Sequence, residues 1–435
     1  MNNDPPIQSS SNSSQSSGNS SDSLIVGIDW ADAKHDLTVI DGNRTLHFRV
    51  SADNNDVAEL IAHLGQLAAG RPIAVCLEKA RVRIIYHLML HENITLYPVD
   101  PKQAARYRES FRSSGAKDDN RDSYYLARML LERQSDLKPL QPDDPLTRRI
   151  SLLCQTRRQL VDDKTSVIQQ LHAVLKMFFP LLLALPGARL DSQLKQEVLR
   201  RWPDPRKFKK VNSLTLQKLF KRHRCGNKEQ IDAIIGQVRG ATLATSDASL
   251  IEPLVIRAKT LADQLRSLDK GIEELEQEIA KAMNQHPDAK LFTSLPGAGA
   301  ALAPRLLAAM GSDRERYADA SELGSYSGIL PVTRQSGKTK HVCRRRACPK
   351  YLKQTFHEFA DGARKFSDWS GAFYRLQRSH GMAHHAALRK LASRWQRILL
   401  SVWKSRVPYD EARYLESMRS KNHPLMQFLP QKQAV

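Results

Sequence analysis

Four carboxylates and one serine stand out in this chain as residues whose types and positions could support phosphoryl chemistry. Asp29 follows the apolar run LIVGI, Glu78 ends IAVCLE, and Asp119 and Asp122 lie in KDDNRDSYYLARML. Apolar runs of that length read as strands, which puts two of the acids at strand ends. Asp119 and Asp122 are one helical turn apart and share a face. An oxygen-only set of this kind suits a hard divalent cation, Mg²⁺ or Mn²⁺. Pairs of such ions about 3.5 to 4 Å apart clamp both oxygens of a phosphodiester displacement. Each acid also has an ordinary reading: Asp29 as a turn residue, Glu78 as a helix-start residue, and Asp119 and Asp122 as a solvated face near a helix N-terminus. Asp32, Asp36 and Asp118 lie close by, and Asp118 would point about 100° away from Asp119 on a helix.

Ser336 sits in RQSGK, between Arg334 and Lys338, with Arg344, Arg345 and Arg346 close behind. A serine hydroxyl becomes a nucleophile when a base takes its proton or cations stabilise the developing charge. Cations abound here, and no histidine is adjacent in sequence. A Ser-Gly in a basic loop is otherwise a turn. Upstream, LPGAGAALAPRLLAAMG places Gly297 and Gly299 before an apolar helix. Such a turn either presents N–H groups to a phosphate or packs between helices.

The elements that must position these residues follow from pattern. Residues 1–23 are a Ser/Asn tract with little to bury, expected to be a disordered tail. LIVGID, LTVI and TLHFRV then read as three antiparallel strands. A helix over 55–67, the strand IAVCLE, a helix around 82–91 and the strand ITLYPV follow. This is an α/β layer with a mixed sheet, the outline of a ribonuclease-H-like fold, over 24–140. Residues 141–290 turn helical. Leu146, Ile150, Leu153, Leu160, Val167, Leu171, Val174 and Phe178 keep coiled-coil spacing, with Arg157 and Lys164 filling the seam. Leu254, Ala258, Leu261, Leu265, Leu268, Ile272, Leu275 and Ile279 repeat it. The two runs could form an antiparallel pair, a dimer seam, or two core helices of one bundle. Short helices and a basic patch over 200–228 separate them. A mostly helical domain over 291–420 and a tail over 421–435 complete the chain.

Composition bounds the partners. The 435 residues carry 67 Lys+Arg against 46 Asp+Glu, a formal charge of +21, which asks for a polyanion. No run approaches the roughly 18 apolar residues of a spanning helix, and no apolar signal core opens the chain, so a cytoplasmic protein that meets no membrane is expected. Five scattered cysteines suit a reducing compartment. His341, Cys343 and Cys348 lack the second ligand pair that a zinc site needs. Trp369, Phe373, Tyr374, Arg375, Trp395 and Trp403 could stack on bases but read better as core, and His384 and His385 read as exposed.

GIDWADAKHD, the LEKA stretch and KDDNRDSYYLA resemble the Asp, Glu, Asp, Asp motif of the insertion-sequence-110 transposases. The likeness continues through the PGAG element, SGILP and RQSGK, and covers most of 24–409. It implies a RuvC-type N-terminal domain in which Asp29, Glu78, Asp119 and Asp122 are catalytic metal ligands, and a C-terminal transposase domain in which Ser336 is the catalytic serine. Arg334, Lys338, Arg344, Arg345, Arg346, Gly297 and Gly299 are then nucleic-acid contacts. Two departures stand out: Ala80 and Arg81 replace a small Thr-Gly after the glutamate, and Cys348 takes the place of a glycine in the basic turn.

The resemblance implies a DNA transposase that excises and inserts an element through a circular form and a phosphoserine intermediate. Its expected partners are double-stranded DNA of the element ends and target, a noncoding bridge RNA, and further copies of itself in a dimer or tetramer. Base pairing would read sequence, while protein cations hold the backbone. Two other readings of the residues stay open: a metal-only endonuclease of the Holliday-junction-resolvase type, with Ser336 structural, and a noncatalytic nucleic-acid-binding scaffold.

Overall fold

A computed structural model describes residues 23–78, 83–111, 119–187, 189–337 and 339–429; of 119–121 and Arg83, only the backbone is described. The Ser/Asn tail up to residue 22, Ala80, Arg81, Asp118, Lys338 and the last six residues lie outside them. Two compact units meet between Pro142 and Asp143.

The first unit is built on a five-stranded sheet. β1 (Leu24–Trp30), β2 (Lys34–Asp41) and β3 (Arg44–Ser51) form an antiparallel meander. α1 (Asn54–Ala68) leads to β4 (Ile73–Glu78), and α2 (Arg83–Leu88) to β5 (Ile94–Val99). The order is β3-β2-β1-β4-β5, with β1, β4 and β5 parallel. This is the mixed sheet the strand pattern predicts. α3 (Pro101–Glu109) and α4 (Asp119–Arg133) complete the unit.

Strand alternation divides the core into two layers. Leu24, Val26 and Ile28 pack with α1 and α2, whereas Ile25, Ala74 and Cys76 pack with α3 and α4. Gly27 faces α4, where a β-carbon would lie 2.1 Å from the Ser123 carbonyl oxygen and 2.4 Å from the Ala127 nitrogen. Only glycine lets this helix rest on the strand backbone. A buried 2.9 Å hydrogen bond between the Thr38 and Ser123 hydroxyls fixes the helix along its axis.

The second unit begins with α5 (Pro145–Phe178), capped by Asp144, whose carboxylate accepts from the Leu146 and Thr147 amides. Five short helices follow: α6 (Pro180–Ala184), α7 (Gln193–Arg201), α8 (Pro205–Lys209), α9 (Ser213–Arg222) and α10 (Lys228–Gly240). The chain returns along α11 (Ala248–Gln285), antiparallel to α5. The two long helices therefore pair within one chain. Their ends enter different cores. Ile150, Cys154, Ile279 and Ala282 join the C-terminal helices, and Leu171, Val174, Ala258 and Leu265 join the short helices. Between the cores, Leu160, Leu268 and Ile272 are half-buried. Arg157 and Lys164, which interrupt the apolar seam, pair across it with Glu276 and Asp269.

α12 (Ala289–Thr293), α13 (Gly299–Met310) and α14 (Ala320–Tyr326) precede a hairpin of β6 (Val332–Ser336) and β7 (Thr339–Cys343). α15 (Lys350–Phe366), α16 (Asp368–Ser379), α17 (His384–Ser405) and α18 (Glu411–Ser420) follow. Trp369, Trp395 and Trp403 are fully buried among them, so these rings are core. Among the described residues no helix is long and apolar enough to cross a membrane.

Candidate functional site

Parity and register gather the acids of the first unit. Asp29 has the parity of Ile25 and Gly27 on β1, and Glu78 that of Ala74 and Cys76 on β4, so both belong to the face covered by α3 and α4. The parallel register Ile28↔Leu77 sets Asp29 beside Glu78. The Trp30 indole N–H donates to the Glu78 carbonyl oxygen at 2.9 Å and ties the two strand ends together. Asp122 arrives from α4, next to Ser123 and therefore held by the same close helix–strand contact. Asp36 stands opposite Asp29 on β2, but Arg49 holds it at 2.6 Å.

Sequence reading missed Arg108. Its guanidinium, on α3, pairs with the Asp122 carboxylate, and both line a cleft with Glu78, Tyr107 and Tyr125. The Asp122 hydrogen bond, and then the charges of Asp122, Glu78 and Asp29, push Arg108 above its ordinary value against a desolvation penalty. One cation thus feels three of the four acids. No sequence signal marks it, because α3 carries two arginines, Arg106 and Arg108, and only the tertiary fold selects one. Beneath, burial pushes the Cys76 thiol up to about 12, with Glu78 adding to the effect, so it stays a neutral thiol.

Among the described side chains no three His, Cys, Asp or Glu groups converge closely enough to hold a metal ion. The side chain of Asp119 lies outside them; its backbone opens α4. The donor set is all carboxylate, as a hard divalent cation requires, and the Arg108 guanidinium already pairs with Asp122 in the cleft that Glu78 lines. The residues present fit such an ion in charge and chemistry.

In the second unit, Ser336 ends β6 at the tip of the hairpin and faces Thr339. Gly337 adopts φ +55°, the left-handed conformation a tight hairpin turn demands. Ser336, Arg334 and every residue of β7 are exposed. Alternation puts Ser336, Arg334, Thr339 and His341 on one face, with His341 opposite Arg334 and diagonal to the serine. This histidine is five positions away in sequence and becomes a neighbour only through the register.

The arginine turn is anchored at the hairpin base. Lys353 donates to the Arg345 carbonyl oxygen at 2.7 Å, and Arg345 reaches the Ser325 hydroxyl at 3.5 Å; Arg344 and Arg346 remain exposed. Cys348 explains its departure from glycine. Its sulfur fills the space beside Gly328 (φ +73°), where a β-carbon would lie 2.2 Å from it. Gly297 (φ +76°) packs against α15, since a β-carbon there would sit 2.7 Å from the Gly362 carbonyl carbon. Gly299 is exposed and opens α13 at φ +52°.

Comparison with known proteins finds family matches in both units. A DEDD transposase model of the IS110 type matches residues 26–180, and a model described as transposase IS116/IS110/IS902 family matches 289–375. A mini-circle protein of Streptomyces coelicolor, described as a transposase for IS117, is 30% identical over 407 residues, spanning 90% of this chain and 97% of that one. The 42 kDa protein of insertion element IS900 from Mycobacterium paratuberculosis is 24% identical, over 89% of this chain and 97% of its own length. A pilin gene-inverting protein of Moraxella bovis shares 34% identity over 95 residues, 21% of this chain and 29% of that one. With an acid set on one unit and a serine hairpin on the other, the chain belongs to the IS110 family of insertion-sequence transposases.

Proposed function

We propose that this transposase cuts and rejoins DNA by transesterification at Ser336, assisted by the acidic set of the first unit. The observation that carries this reading is the hairpin: a serine at an exposed tip, sharing its face with Arg334 and His341 and backed by an anchored arginine turn. The Ser336 oxygen attacks a backbone phosphorus, the new O–P bond replacing the bond to the leaving deoxyribose oxygen. The serine proton passes to His341, and the leaving oxygen takes up a proton. Arg334, Lys338, Arg344 and Arg346 offset the charge that develops on the phosphate oxygens. The number of phosphoester bonds is conserved, so rejoining needs no nucleotide hydrolysis.

Asp29, Glu78, Asp119 and Asp122 would hold the divalent cation, Mg²⁺ or Mn²⁺, in a RuvC-type domain. When bound, it would supply Lewis-acid polarisation of a phosphate oxygen. Two centres on two units of the chain suit assembly into a dimer or tetramer. A bridge RNA would select the sites, leaving the protein to hold backbone charge.

Excision circles recovered from a marked element in cells test the reading. Ser336→Ala and Asp29→Ala should each abolish circles, and His341→Ala should lower their rate by roughly 10²-fold, the usual contribution of a general base. The strand-end acids, which could act without a serine, favour a metal-only endonuclease as the second reading. Circles from Ser336→Ala but not from Asp29→Ala would establish that alternative.

A further inference from the structure

A group of cationic and imidazole side chains gathers where the hairpin meets the helices. Lys353 and His357 are one turn apart on α15, and His385 and Arg389 one turn apart on α17, so each pair shares a helix face. The helices pack together, with the His357 and His385 rings 5.3 Å apart and His384 4.9 Å beyond. Lys353, through its bond to the Arg345 carbonyl, draws the arginine turn over them.

Lys353, His357 and Arg389 are half-buried, and Arg344 and His385 are exposed beside them. Lys353 and Arg389 are held below their ordinary values first by desolvation and then by Arg344, with Arg389 also acting on Lys353 and the nearby Cys348 opposing. His357 is depressed by desolvation, then by His385 and Arg389. Among the described residues no carboxylate acts on Lys353, His357 or Arg389. The acids of α15 are engaged elsewhere, Glu358 with Arg305 at 2.5 Å and Asp361 with Arg364 at 2.6 Å. α17 contains no Asp or Glu at all. Cations assembled at a cost in desolvation and mutual repulsion, without an internal counter-ion, are matched to an external anion.

We infer that Arg344, Lys353, His357, His385 and Arg389 form a phosphate-binding site for the backbone of the DNA that Ser336 attacks. The inference rests on the reading that Ser336 acts on DNA, and it names a second contact on that strand. From Cys343 at the ribbon base to Thr339 at its tip, four strand steps span about 14 Å. At 3.4 Å per nucleotide along a strand, that is about four base pairs. The site therefore grips a phosphate about four nucleotides from the one attacked and sets the register of the hairpin on the duplex.

The test is the salt dependence of binding of a non-specific DNA duplex, and of an RNA of matched length, by the full-length protein carrying Arg389→Gln or Lys353→Gln. Each variant should weaken duplex binding by roughly tenfold at 0.1 M salt and make the slope of log K against log salt less negative by about 0.9. Arg389→Lys should retain most of both. Because Arg389→Gln relieves repulsion in the DNA-free protein, it should raise the melting temperature by about 1–2 °C, whereas loss of a purely structural arginine would lower it. An unchanged slope overturns the site, and a change confined to RNA assigns it to a different partner and overturns it as well. If the wild-type protein binds no duplex at all, it is the underlying reading of Ser336 that fails.

Discussion

The two units each gather like charges, and they balance them differently. In the first, Asp29, Glu78 and Asp122 share an internal cation, Arg108. In the second, Lys353, His357 and Arg389 lie beside Arg344 and His385, and among the described residues no carboxylate acts on those three. The overall charge follows the same division: residues 1–100 hold 7 Lys+Arg against 12 Asp+Glu, and residues 331–435 hold 22 against 6. An acidic set with its own counter-ion is stable before its ligand arrives and must exchange one cation for another. A basic set without one is completed only by the nucleic acid. On this account metal entry is an exchange at Arg108, while DNA binding is a relief of repulsion.

Asp122→Asn breaks the comparison most severely, since it removes a carboxylate and leaves Arg108 in excess. If Asp122 holds the proposed ion, strand exchange should fall by about 10³-fold and Mn²⁺ binding measured by calorimetry should be lost. Unchanged Mn²⁺ affinity would remove Asp122 from the set. Gly27→Ala attacks the geometry rather than the charge. A β-carbon at 2.1 Å from the Ser123 carbonyl must push α4 off β1, costing about 3 kcal/mol and displacing Asp122 with it. Denaturant melts followed by Mn²⁺ titration of the folded fraction measure both, and a fully stable variant with normal Mn²⁺ binding contradicts the positioning argument.

Arg108→Gln is the mildest and most specific change. A unit charge about 4 Å from a carboxylate is worth up to about 4 kcal/mol near a protein surface, but Arg108 is about a third exposed and solvent screens most of that. Removing it should tighten Mn²⁺ binding by roughly tenfold at low salt. Weaker binding would mean that Arg108 orients the carboxylates for the ion rather than competing with it.

Much of the first unit is legible in sequence because strand alternation and apolar run length are local signals. They fix which face Asp29 and Glu78 occupy before any contact is known. Arg108 is not legible, because its partner Asp122 lies on another helix and nothing in PKQAARYRE separates it from Arg106. His341 is hidden for a related reason: only the pairing Arg334↔His341 turns a five-residue separation into a shared face. In the long helices, Arg157 and Lys164 are visible as breaks in the apolar seam. Their partners Glu276 and Asp269 are more than 100 residues away in the chain, and only the antiparallel pairing brings them together. His384, which the sequence suggests is simply exposed, is half-buried and bonded to the Tyr374 hydroxyl at 2.7 Å.

The central claim is that Ser336 becomes covalently joined to DNA, and mass spectrometry of peptides from the full-length protein, after reaction with a nicked duplex that traps the intermediate, tests it most directly. The account predicts a nucleotide adduct on the peptide containing Ser336, dependent on Mg²⁺ or Mn²⁺ and missing from Ser336→Ala. Strand exchange proceeding with no adduct on Ser336 would contradict it.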